Sequence, residues 1–373
     1  MEWDHGRHEK HGAVVITDGL TAQQSDANIK RAHEAAYPLD LIELGIKFMC
    51  INGTASVEKD RLRILAAIGS ASAALDEVVH GVLACAALRR ALEKGGERRA
   101  RFLEAVRRGR VRKMQLALVG SAADTPKTWR EVVGALDATT ITELSMQTKL
   151  KKFPVESLGR LTTLVSIDMS SCTGLRSLPQ CLFGGLIALK EINMSGKPHA
   201  PMGLTSLPEG LFGGLTALTS IDMSLCSFTS LPKGLFGGLT ALTSIKMTGS
   251  HCLVSLPEGL FGGLTALDSI KIDHCEGLVS LPQGLFCGLT ALTSISMRFC
   301  SFTSLPEGLF AGLTILTSIN ITGCYGLVSL PEGLFDGLAA LNSIEMYQCR
   351  KLTLAPGMIE GLQAKGCTVK RAS

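Results

Sequence analysis

Aromatic side chains are scarce in this 373-residue chain, which holds 13 Phe, 3 Tyr and 2 Trp. A core organised around a few large rings is thereby excluded. Apolar runs are broken by Gly, Ser, Thr or a charge before the roughly 18 residues that a membrane-crossing helix requires. No G-x-x-x-x-G-K-[ST] phosphate loop occurs, and no two cysteines stand as C-x-x-C, so neither a nucleotide switch nor a paired-cysteine zinc or redox site is written. Met1 to His8 carries neither an apolar stretch nor a small-residue cleavage site, and the expectation is a cytoplasmic protein.

Glycine is abundant instead, with 40 copies, and 46% of positions are hydrophobic against 19% charged. Such a chain can bury a large core. The net charge of +4 hides an asymmetry: residues 161–361 hold nine basic and thirteen acidic side chains, net −4, while the basic excess lies upstream. With no uniform positive field along the repeats, nucleic acid is not expected as the partner.

From Leu161 the chain repeats every 24 or 25 residues, with new units at Leu186, Leu215, Leu239, Leu264, Leu289, Leu313 and Leu338. In one copy Leu218, Ile221, Met223, Cys226 and Phe228 match L-x-x-L-x-L-x-x-N/C-x-L, and the chain thereby resembles the leucine-rich repeat superfamily. The Leu-Pro-x-Gly-Leu turn and the following Cys are similar to repeats of intracellular nucleotide-binding immune receptors, here without their NTPase motif. The resemblance implies an α/β leucine-rich-repeat solenoid, a horseshoe with a parallel concave sheet, and a protein-binding role.

The spacing predicts the geometry. Ile221 and Met223 lie two apart, so both point inward from a short strand, and Ser220, Asp222 and Ser224 point outward. Phe183, Phe212, Phe236, Phe261, Phe286, Phe310 and Phe335 are expected to stack inside, beside a row of methionines. Cys172, Cys226, Cys275, Cys300, Cys324 and Cys349 occupy the N/C position as free thiols donating to nearby carbonyls, with Lys197 and Ser250 standing there in two units. A straight row of thiols cannot form a tetrahedral metal site, and reduced thiols again suit the cytoplasm. The second unit carries an insertion at residues 197–202, which maps to one edge.

Four regions follow from the pattern: a mainly helical N-terminal region at 1–110, degenerate capping repeats at 111–160, eight repeats at 161–361, and a C-terminal cap with a basic tail at 362–373. Helical spacing is read near residues 27–36, 58–68, 75–92 and 97–108, with a convex-side helix at 126–136. The stretch 89–113 holds eleven basic and three acidic residues, a solvated helix face or a docking site for an acidic partner. His5, His8 and His11 are flanked by Gly6 and Gly12 and read as a fraying terminus rather than metal ligands.

The resulting expectation is a monomeric, non-enzymatic scaffold that needs no cofactor or metal and binds a protein or peptide on its concave sheet. The candidate contact residues are Glu191, Asn193, Ser220, Asp222, Ser244, Lys246, Ser269, Lys271, Asp273, Ser296, Arg298, Asn320, Thr322, Glu345 and Tyr347, with Arg298 and Tyr347 as anchors. Two alternatives are a signalling or defence adaptor whose helical region gives the output, and a ubiquitin-ligase-like enzyme acting through Cys50 or Cys85. No acid–base constellation accompanies either cysteine.

Overall fold

The computed structural model describes residues 113–118, 141–148 and 158–371. The expected helices at 27–36, 58–68, 75–92, 97–108 and 126–136, Cys50, Cys85, the three N-terminal histidines and the basic stretch up to residue 112 lie outside the described residues.

Among the described residues, eleven parallel strands form one sheet in strict chain order. Strands β1 (Lys113–Leu118), β2 (Glu143–Thr148) and β3 (Ser166–Ser171) have six residues each. Eight three-residue strands follow: β4 (Glu191–Asn193), β5 (Ser220–Asp222), β6 (Ser244–Lys246), β7 (Ser269–Lys271), β8 (Ser294–Ser296), β9 (Ser318–Asn320), β10 (Ser343–Glu345) and β11 (Thr368–Lys370). Register is constant from β3 to β10, so Ile167, Ile192, Ile221, Ile245, Ile270, Ile295, Ile319 and Ile344 form one column. All eight are buried, as are the Met or Ile residues two positions later. The alternation read from the sequence therefore sets which side is core.

Across the coil from the sheet, the seven phenylalanines stack face to face with centroids 5.9–6.3 Å apart. Paired strands lie only about 4.8 Å apart. Coils spaced more widely on their phenylalanine side than on their strand side fan out, which puts the sheet on the inner, concave surface. Among the described residues of the repeats, the outer arm consists of successive turns. In one coil Leu235 N–H donates to the Pro232 carbonyl, Gly237 to Gly234 and Leu239 to Phe236. Gly234 and Gly238 take φ of 72° and 81°. A Cβ on either would meet nothing, so glycine is required there by backbone conformation, not by space.

The one helix among the described residues, α1 (Met358–Ala364), follows the last full repeat and leads into β11. It places Leu362 over the final coil, where Leu354, Met358 and Val369 also pack.

Candidate functional site

Along each coil the positions facing out of the concave sheet are the first, third and fifth, the first being the residue before the buried Ile. The structure sorts the expected contact residues into these three columns. Glu191, Ser220, Ser244 and Ser269 belong to the first. Asn193, Asp222, Lys246, Lys271, Ser296, Asn320 and Glu345 belong to the third, and Asp273, Arg298, Thr322 and Tyr347 to the fifth. Ser294, Ser318 and Ser343 complete the first column one register step at a time. They were not singled out from the sequence, although one period beyond Ser269 reaches them.

Many of these polar groups are spent within the fold. In β3, β4, β5 and β9 the third-position Asp168, Asn193, Asp222 and Asn320 each accept, through Oδ1, the backbone N–H two residues on, at 2.9–3.0 Å. These Asx contacts turn the chain off the strand. Asn320 also donates to Glu345 at 2.7 Å, and Lys370 donates to the other Glu345 oxygen at 2.8 Å. Glu345 raises the Lys370 pKa by that hydrogen bond and by its charge.

Asp273 departs from the expected exposure: only 2% of it reaches solvent. Its Oδ1 accepts from the Ser296 hydroxyl at 2.6 Å and the Arg298 N–H at 2.8 Å, while the Arg298 guanidinium donates twice to Oδ2 at 3.1 and 2.9 Å. The fork folds down on the carboxylate, and the Arg298 pKa rises through this hydrogen bond and the Asp273 charge. Arg298 is thus a structural partner before it is an anchor. Thr322 has a buried hydroxyl without a hydrogen-bond partner. Tyr347 is 38% exposed.

Lys246 and Lys271 differ from these neighbours. They pair side by side across β6 and β7, and among the described residues neither side chain makes an ion pair or hydrogen bond. Two unpaired cations sit at the middle of the concave strip.

A second feature is one that sequence reasoning missed. At the sixth position the N–H still bonds into the next coil: Leu225 to Thr248, His274 to Arg298 and Phe299 to Thr322, at 2.7–2.8 Å. The backbone there turns left-handed. Gly249 and Gly323 accept that conformation freely, yet Leu225, His274, Phe299 and Gln348 hold φ of 54–58°. Each non-glycine costs about 1 kcal/mol or more in this region. Leu225 lies over Gly249 and Phe299 over Gly323, where an added Cβ would strike the larger side chain. His274 stacks on Phe299 at 4.6 Å, Tyr325 tilts against Phe299 at 6.4 Å, and the Tyr325 hydroxyl contacts Gln348 at 3.2 Å. The alternation of glycine with large residues in this column was the available signal.

The insertion in the second repeat lies on the same edge and corrects one assignment. Lys197 does not take the thiol position. Lys197 and Ala200 pair as a small antiparallel loop, and Met202 re-enters beside Cys226 as a buried residue. Lys197 reaches instead to the Ser171 hydroxyl at 3.1 Å. A long charged side chain is replaced in the interior by an apolar one, as burial requires.

No curated protein matches this chain. Among solved structures, the Toll–Spatzle complex from Drosophila is similar at 20% identity over 66% of this chain and 41% of that one, with a TM-score of 0.42. A TLR13–ssRNA13 complex is similar at 20% identity over 75% of this chain and 49% of that one, also with a TM-score of 0.42. This chain therefore spans less than half of either. The family model described as a BspA type leucine rich repeat region matches six copies over residues 134–255 and 248–353, more than half of the sequence. With its parallel ladder and buried repeat columns, the chain belongs to the BspA-type leucine-rich repeat family.

Proposed function

We propose that this protein is a non-enzymatic scaffold that binds a partner protein or peptide across its concave sheet. The observation carrying this reading is the contrast between two outward columns in constant register: serine recurs in the first, while the third changes among Asp, Asn, Lys, Ser and Glu. Small side chains leave the sheet approachable, and the changing column confers selectivity. The ten cysteines among the described residues are free thiols, with Cys181, Cys252 and Cys287 exposed, which supports a reducing, cytoplasmic compartment.

The test is an affinity pull-down from native lysate with the full chain and with a Ser244→Arg/Ser294→Arg variant. Both serines are half-exposed first-column residues, so the added bulk obstructs the sheet without entering the core. Species captured by the wild type are expected to be lost from the variant at unchanged circular dichroism. Undiminished capture would remove the concave face from the reading.

A further inference from the structure

Like charges opposed across a ladder repel, and Lys246 and Lys271 stand in that relation; Asp222 lies on the strand beside Lys246, yet among the described residues neither lysine forms an ion pair. Three residues beyond Lys271, where the chain has turned off the strand, the strip ends at the His274 ring on Phe299, with Tyr325 beyond. Between the lysines and the rings, Arg298 covers Asp273, so no free carboxylate interrupts the surface. Tyr and Arg are the side chains that most often anchor interfaces, and a ring offers area at low entropic cost.

We infer that this is a two-part surface for an acidic peptide segment. Two neighbouring carboxylates meet Lys246 and Lys271, and an aromatic side chain about three residues away lies on the His274–Phe299 shelf. The inference rests on the binding role assigned to the concave face and names the ligand class for it. Charge favours a peptide over a nucleic acid: residues 161–361 are net −4, whereas a polyanion gains affinity by neutralising many phosphates in succession.

Fluorescence anisotropy with the full chain tests it, using a labelled Glu-Glu-Gly-Ser-Phe peptide, its Phe-to-Ala and Glu-to-Gln versions, and a single-stranded oligonucleotide. The first peptide is expected to bind tightest, to lose about tenfold in affinity with either change, and to weaken with salt. Two double variants, Lys246→Ser/Lys271→Ser and His274→Gly/Phe299→Gly, are each expected to bind it about tenfold more weakly. Each introduces a residue that its own column already carries, at Ser296 or at Gly249 and Gly323, so the fold is retained. Equal binding of all peptides, tighter binding of the oligonucleotide, or variants indistinguishable from wild type would overturn the inference. If no peptide binds while Ser244→Arg/Ser294→Arg still abolishes protein capture, the acidic-segment inference falls and the scaffold role stands.

Discussion

Arg298 lies 2.9 Å from Asp273 while 43% of its side chain remains in solvent, and the carboxylate it holds is buried. Screening at the exposed guanidinium keeps the ion-pair term small. The larger cost of losing Arg298 comes from the buried Asp273, which would keep only its Ser296 and backbone partners. Arg298→Ala is therefore expected to lower unfolding free energy by about 2 kcal/mol, measured by urea denaturation. Asp273→Ser with Arg298→Thr restores side chains found in this column at Ser224 and Thr248, and recovery of stability is expected. A neutral Arg298→Ala would show that the pair holds nothing in place. Sequence reading put both residues on the outward face, which is where they lie. That one covers the other depends on lateral placement of neighbouring coils at the fifth position, beyond the end of each three-residue strand, where alternation no longer states exposure.

At the scale of the coil, the thiol ladder links each element to the one before it. Cys226 donates to the Met194 carbonyl, Cys275 to Met247, Cys300 to Ile272, Cys324 to Met297 and Cys349 to Ile321, at 3.0–3.3 Å. Ser250 makes the corresponding contact to Met223 at 3.5 Å. Burial pushes the Cys324 thiol from about 9 up to about 12 and raises Cys226 and Cys349 in the same direction. The folded state thus retains protons that the unfolded chain releases above about pH 9. Stability is expected to be complete below that pH and to fall progressively as pH rises towards 12, followed by chemical denaturation across the range. Residue-mapped alkylation at pH 8 is expected to modify exposed Cys181, Cys252 and Cys287 rapidly, and the buried ladder cysteines only on unfolding. Rapid native-state labelling of Cys275 or Cys324 would contradict that account. The ladder was legible from the period alone, except in the second repeat, where a looped insertion shifts the buried position from Lys197 to Met202.

Over the whole molecule, stability is distributed between neighbouring coils, because each coil's core is completed by the next. At the far end Phe335, Leu338 and Leu341 remain 6–7% exposed, with Leu362 from α1 close to the same value. Removing residues 354–373 would uncover this layer. The shortened chain is expected to melt at lower temperature and to self-associate in light scattering, while Leu362→Ala in the full chain is expected to cost about 2 kcal/mol. A monomeric truncation with unchanged Tm would remove the covering role of α1 and β11. No helix among the described residues is long and apolar enough to cross a membrane.

The 24 or 25-residue period and the two-residue alternation, both local, by themselves determined the parallel ladder, the buried Ile and Met columns, the phenylalanine stack and the outward serines. Tertiary structure alone decided which outward charges cancel, leaving Lys246 and Lys271 without partners while Asp273 disappears beneath Arg298. It also turned the sixth position left-handed and gathered His274, Phe299 and Tyr325 into one shelf. The division is physical: inward or outward direction follows from the strand's own pleat, but pairing and stacking require the neighbouring coil to be in place.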